Sequence, residues 1–201
     1  MRKMIYRVFK LKDETSNGLI GLLGSISGLQ ATLKNKGHVT FGLFPGLFGL
    51  ATNEIYWVLM SEETVSDPTS EIEASGVNIM NAKTLVPTVR PTMHAPRSEP
   101  GIYVFRWFSV KNKDVDEIAR LSNLAWATFE AGFDTEVQGL FAEADREDEN
   151  GNMLLVTWYR NLTVWQDSRL PDQEARDLFQ RRHQLTLEAK PVATRLYLPE
   201  V

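Results

Sequence analysis

Gly42-Leu43-Phe44 and Gly139-Leu140-Phe141 are the same tripeptide 97 residues apart, and Ile5-Tyr6 recurs as Ile102-Tyr103 at the same offset. One offset kept by separate motifs marks an internal repeat, which has to be recognised before single elements are assigned. Working outward, Trp57 in Ile55-Tyr56-Trp57-Val58 aligns with Trp158 in Val156-Thr157-Trp158-Tyr159 at an offset of 101, the extra residues falling in the turn between. Thr88-Val89-Arg90 then matches Ala193-Thr194-Arg195. The sequence therefore reads as two diverged copies of one unit, over residues 1–95 and 100–201.

Each copy opens with a strand rich in aromatic and β-branched residues, about 4–11 and 102–110. A helix follows: Leu19, Leu22, Leu23, Ile26, Leu29 and Leu33 in the first copy, and Val115, Ile118, Ser122, Ala125, Trp126 and Phe129 in the second, recur at three and four positions. Gly21, Gly24 and Gly28 inside the first helix each weaken it by about 1 kcal/mol relative to Ala, and close packing of helix on sheet is the expected reason. A phosphate loop is excluded, because no Gly-Lys-Ser/Thr follows. Hairpins are expected over 38–44 with 53–60, and 135–143 with 152–160. Acids alternate in the second hairpin turn, but its glycine is misplaced for an EF-hand, and Asn150-Gly151 predicts a solvated tight turn. The last helix spans about 172–185 and the last strand 192–198; the matching helix in 65–81, with Pro68 and Gly76, should be short or broken.

Two strand-helix-strand-strand-helix-strand units predict an α+β fold of two ferredoxin-like repeats, each a four-stranded antiparallel sheet with helices on one face. Tyr103, Phe105 and Trp107 alternate with Ile102, Val104 and Phe108, so both sheet faces should be covered. The expected arrangement packs the two sheets into a barrel-like body with a space between them.

Composition narrows the function classes. Hydrophobic residues form 43% and charged residues 24% of 201, enough for a core, and the net charge of -4 with scattered Lys and Arg excludes a nucleic-acid face. With no Cys there is no disulfide framework, thiolate nucleophile or sulfur-ligated metal. Met1-Arg2-Lys3-Met4-Ile5-Tyr6-Arg7 does not read as an export signal, and no apolar run reaches the roughly 20 residues of a membrane span, so a cytoplasmic protein is expected.

Three stretches of the second copy carry a resemblance: Ile102-Tyr103-Val104-Phe105-Arg106-Trp107, Trp158-Tyr159-Arg160-Asn161-Leu162, and Trp165-Gln166-Asp167-Ser168-Arg169 opening a helix. On these the chain resembles the dimeric α/β-barrel superfamily in its fused, tandem form, and within it most resembles NIPSNAP-type proteins. The superfamily includes cofactor-free monooxygenases, haem-dependent enzymes, small-molecule isomerases and proteins without established activity, so the resemblance implies a cavity before it implies a reaction. In the first copy Trp165 and Arg169 fall on Thr64 and Pro68, which directs attention to the second copy.

Arg106 interrupts an apolar strand, and a buried arginine needs a partner, either a structural ion pair or a bound anion. Arg160, on the strand face of Trp158, poses the same choice. Trp165 and Arg169 stand four apart behind Thr163-Val164-Trp165-Gln166, which has the spacing of a capping box, so both should emerge on one face, to pack or to touch a ligand. His183 follows Arg181-Arg182 and is either a helix-end residue or a proton donor or haem ligand. His38, His94 and His183 have no metal spacing, and neither a Gly-x-Ser-x-Gly elbow nor a carboxylate pair appears. No metal and no cofactor are expected, haem being the alternative.

The sequence thus predicts a small-molecule cavity protein, an oxygenase or isomerase-like enzyme acting on an apolar or aromatic substrate. Arg106, Trp158, Arg160, Trp165, Arg169 and His183 are its ligand-binding candidates, and no catalytic residue is assigned. The alternative is a non-enzymatic interaction or scaffold protein using the apolar segment 41–50, expected to be part loop. The oligomeric state is open, a homodimer included.

Overall fold

The computed structural model describes residues 3–15 and 17–198, so Met1 and Arg2 of the N-terminal stretch lie outside the described residues. The elements are β1 (Met4–Lys12), α1 (Gly18–Asn35), β2 (Val39–Phe48), β3 (Glu54–Glu62), α2 (Thr69–Ala74), β4 (Asn78–Arg90), β5 (Ile102–Lys111), α3 (Val115–Gly132), β6 (Thr135–Glu143), β7 (Asn150–Tyr159), α4 (Leu162–Asp167), α5 (Gln173–Gln184) and β8 (Thr186–Arg195). The chain divides into two units, residues 1–85 with 94–99 and 194–201, and residues 86–93 with 100–193.

The sheet order is β4-β1-β3-β2 in the first unit and β8-β5-β7-β6 in the second, which is the ferredoxin-like order in both. Phe9, Leu11, Leu22, Ile26, Leu33, Leu43, Ile55 and Trp57 pack the helix side of the first sheet. Phe108, Val110, Val115, Ile118, Trp126, Val137, Leu140 and Met153 do so in the second. Tyr103, Val104, Phe105 and Phe108 are all buried, so both faces of β5 are covered.

The recurrent Gly-Leu-Phe has a steric cause. A Cβ on Gly42 would run into the ring edge of Phe44, and one on Gly139 into that of Phe141, because each ring curls back over the residue two before it. Both glycines end a register shift, between Thr40 and Gly42 on β2 and between Val137 and Gly139 on β6. Each hairpin thus carries a bulge at the same place, which pins its register.

That register corrects the tryptophan alignment. Gly42 pairs with Val58 and Leu43 with Trp57, while Gly139 pairs with Val156 and Leu140 with Leu155. The structural counterpart of Trp57 is therefore Leu155, and Trp158 corresponds to Met60, the partner of Tyr6 as Trp158 is of Tyr103.

Other expectations are corrected on local grounds. Gly21 does pack closely, its absent Cβ leaving room for Asp13 and Asn17, but Gly24 and Gly28 are exposed with nothing near them, so close packing does not explain these two. Segment 41–50 is strand as far as Phe48 and only its last two residues leave the strand; Phe41, Leu43 and Phe44 build core, while Leu47 and Leu50 are half-buried and Phe48 is exposed. Asn150 and Gly151 lie inside β7, opposite Lys111 and Val110, and the turn is residues 144–149. Gly151 is needed there because Asn112 lies where a Cβ would be. The last strand begins at Thr186, not 192: its first half is polar and exposed and carries no apolar signature, burial starting only at Val192. The helix over 65–81 is short, as expected, with six residues in α2.

Candidate functional site

The helix side of the second sheet is incompletely filled. A cavity of about 480 Å³ opens there, walled by β5, β6 and β7 (Arg106, Val137, Leu155, Thr157, Tyr159), by α3 (Trp126, Phe129) and by the segment from Ser168 through α5. It belongs to the second unit alone. The side chains that line this cavity are those facing the helices of the second sheet.

Comparison with the first unit shows why it is hollow. Phe9 pairs with Trp57 across β1 and β3, and Arg106 pairs with Leu155 at the same place across β5 and β7. Phe9 and Trp57 are fully buried, and the Trp57 indole donates to Thr40 Oγ1 at 3.2 Å. The counterpart of Thr40 is Val137, and that of Leu59 is Thr157. Exchanging an indole for a leucyl side chain removes volume, and exchanging a phenyl ring for a guanidinium puts a polar group where the core was. A hollow of this origin stays open only if something other than packing stabilises it, since unfilled core volume costs about 24 cal/mol per Å³.

Its polar end is cationic. Arg182 is buried in the last turn of α5, its guanidinium 5.2 Å from the Phe108 ring centroid and 4.7 Å from that of Phe179, with Nη1 donating weakly to Ser122 Oγ at 3.4 Å. Burial, and then the positive charge of Arg106, push Arg182 down to about 9, against the opposing influence of Tyr159. Arg106 is likewise lowered, by burial first and by Arg169 after, with Tyr159 again opposing. Arg169 and Arg176 complete the cationic side, with His183 beside them on the wall. No Asp or Glu lines the cavity, and among the described residues no carboxylate lies within ion-pair distance of Arg106, Arg169 or Arg182.

Three of the six sequence candidates, Arg106, Arg169 and His183, meet at this cavity. Trp158 does not: strand alternation turns Thr157 and Tyr159 inward and Trp158 to the opposite face, where its indole donates to Pro100 O at 3.1 Å and rests on Gly101. Arg160, on that same face, is exposed and pairs with Asp134 at 3.2 Å. Trp165 and Arg169 do not share a helical face, because α4 ends at Asp167. The cap is Asn161, whose side chain accepts from Val164 N at 3.0 Å, so the Thr163 capping box is corrected as well. Trp165 is half-buried, its indole nitrogen without a hydrogen-bond partner, and it is not part of the cavity wall.

Sequence reasoning missed Arg182 and Tyr159. Arg182 was legible in principle: Ala175, Phe179 and Arg182 are spaced by four and three, which puts the arginine on the inward face of α5. In the first unit Arg7 was overlooked. It is a satisfied buried arginine, bonded to Ser61 Oγ at 3.0 Å and to Asp67 at 3.1 Å.

No protein-family model matches the sequence, and no curated protein matches it. Solved structures do. An anthrone oxidase-like protein superposes with TM-score 0.73 at 9% identity, covering 98% of this chain and 92% of that one. A protein from Fusobacterium nucleatum named for a monooxygenase follows with 0.65 at 12%, covering 97% and 93%. Chlorite dismutase from Candidatus Nitrospira defluvii, in complex with imidazole, gives 0.61 at 10%, covering 96% and 91%. At such identities the likeness shows the fold alone.

These neighbours correct the expectation of a protein without a cofactor. The fold is shared with chlorite dismutases, solved with imidazole and with cyanide, both of which are ligands that seek a metal, so nothing in the fold favours a cofactor-free chain. Haem itself is a poor match to the residues of this cavity. His183 is its one imidazole, exposed at the end of α5, and among the described residues no hydrogen bond orients the ring as an iron ligand requires, while the guanidiniums of buried Arg182 and half-buried Arg106 share the wall. Among the described residues no group of three or more His, Asp or Glu could hold a metal ion, and no helix is long and apolar enough to cross a membrane.

Proposed function

We propose that the cavity of the second unit binds a small apolar or aromatic molecule and that the chain is an oxygenase-type protein acting on it. One observation carries the reading: positions filled in the first unit by Phe9 and Trp57 are opened in the second by Arg106 and Leu155, leaving about 480 Å³ walled by Trp126, Phe129, Leu155 and Phe179. Cavities of that size with aromatic walls and a few convergent polar groups suit a ligand of two or three fused rings. The names of the structural neighbours, an anthrone oxidase-like protein and monooxygenases, support oxidation as the reaction class. The closer kinship to NIPSNAP-type proteins rests on the stretches around Arg106 and Arg169, both of which reach the cavity.

Anthrone is the first compound to try. Its oxidation by dioxygen yields anthraquinone and water, one O2 per anthrone, so an oxygen electrode and the quinone absorbance report the same event. Leu155→Trp, which restores the side chain of the first unit, should abolish both binding and turnover while leaving the circular dichroism spectrum unchanged. A Leu155→Trp protein that binds fused-ring aromatics as well as the parent would overturn the reading.

A further inference from the structure

Among the described residues the cationic end of the cavity has no counterion. Arg106 lies near enough to Arg182 to disfavour its charge, and neither faces an acidic group on the cavity wall. Burying the Arg182 guanidinium costs several kcal/mol, and a second positive charge on the same cavity wall, that of half-buried Arg106, adds repulsion. Proteins ordinarily answer this with a carboxylate, as the first unit does for Arg7 with Asp67. In the second unit the groups that face the guanidiniums are rings and hydroxyls: Phe108 and Phe179 under Arg182, Ser122 at 3.4 Å, and Tyr159. The two rings hold the Arg182 guanidinium in place, and no carboxylate of the cavity wall meets it or Arg106.

We infer that Arg106 and Arg182 form an oxyanion-recognition site at the inner end of the cavity, and that the ligand is a flat apolar body carrying one acidic oxygen function, a carboxylate or an ionised phenol or enol. This rests on the cavity reading above and names the ligand class within it. The chemistry fits both sides. Guanidinium pairs bind a planar oxyanion through charge-assisted hydrogen bonds, which are about twice as strong as neutral ones. Trp126, Phe129 and Phe179 take the rings. For an oxidation the same pair would hold the ligand in its deprotonated, electron-rich form, with the proton released to solvent or to a group at the cavity mouth.

The test is calorimetric titration of the intact chain with 2-naphthoate and with the neutral isostere 2-naphthamide. The acid should bind roughly 10-fold to 100-fold more tightly, the value of one or two charge-assisted hydrogen bonds. Arg106→Gln should erase the preference, while Arg160→Gln, outside the cavity, should keep it. Arg182→Gln should act like Arg106→Gln; should it unfold, Arg106→Gln decides. Equal affinity for acid and amide, both abolished by Leu155→Trp, would leave the cavity reading standing and overturn the oxyanion site. A preference that survives Arg106→Gln overturns it too. Failure of both probes to bind would sink the cavity reading and this inference together. 4-Nitrophenol, yellow only when ionised, separates the two acid types: colour drawn out at a pH where the free phenol is colourless marks a site for phenolate, and its absence beside tight naphthoate binding marks one for carboxylate.

Discussion

Arg106 on β5 is the cross-strand partner of Leu155 on β7, at the place where the first unit sets Phe9 against Trp57. The same backbone position therefore carries two different solutions, a closed apolar core and an open cavity with a charged end. That difference sets how each unit responds to substitution and to ligand.

Arginine truncation should have opposite consequences in the two units. Arg7→Met leaves Ser61 Oγ buried without its donor and releases Asp67, and should cost about 2 kcal/mol in urea unfolding, somewhat less than a fully buried pair because the Asp67 side chain is 52% exposed. Arg106→Met removes a half-buried charge that has no acidic partner, and should be neutral or stabilising in the ligand-free protein. Equal losses from the two variants would mean that Arg106 is held as firmly as Arg7.

Exposed helix glycines give a second prediction. Gly24 and Gly28 on α1 have nothing within 4 Å of an added Cβ, so Gly24→Ala and Gly28→Ala should each stabilise by about 0.5–1 kcal/mol. Gly21→Ala should destabilise, because the new methyl meets Asp13 Oδ2 at 2.7 Å. Thermal midpoints of the three single variants check the pattern.

Acid should weaken the fold in two separable steps. His38 is buried, and its pKa is lowered by that burial first and by Arg7 after; His94, whose Nδ1 lies 2.8 Å from the Tyr6 hydroxyl, is lowered by burial. Below their unfolded pKa of about 6.5 the unfolded chain takes up protons that the folded chain refuses, so stability declines as pH falls from about 7 toward 5. Glu54 and Asp67 have depressed folded values, so the stability they contribute is present above about pH 4.5 and is lost only below it. Urea midpoints at pH 7, 6 and 5 should fall steadily, and His38→Gln with His94→Gln should flatten that slope without touching the lower step.

The fold was legible because the repeated tripeptide is under steric constraint: only glycine leaves room for the ring of Phe44 or Phe141, so the motif survived divergence of the two copies. The tryptophans carried no such constraint and misled the alignment, since Trp57 and Trp158 lie on opposite sides of their strands' common pattern. Arg106, Arg169 and His183 were readable as exceptions within patterned stretches. The cavity was not, because it arises from two volume changes, at Leu155 and Arg106, whose meaning appears only once strand register says what they replace. Arg182 was masked by its neighbours Arg181 and His183, both exposed, which made the run look like a solvated helix end.

Glu130 connects the helix wall of the cavity to its strand. Its Oε1 accepts from Arg90 Nη1 at 2.6 Å and from the Val137 backbone at 2.7 Å, at the residue that opens the β6 bulge. The Arg90 guanidinium in turn lies 4.9 Å from the Trp126 ring centroid, and Trp126 and Val137 both line the cavity. Glu130→Gln keeps the size of the side chain but not its charge, and leaves one cation and one bulge N–H less well satisfied. It should cost about 1–3 kcal/mol and weaken binding of 2-naphthoate several-fold, with the preference for acid over amide unchanged, because Arg106 and Arg182 are untouched. Loss of the preference itself on Glu130→Gln would show that this carboxylate, and not the guanidinium pair, sets the charge selectivity of the cavity.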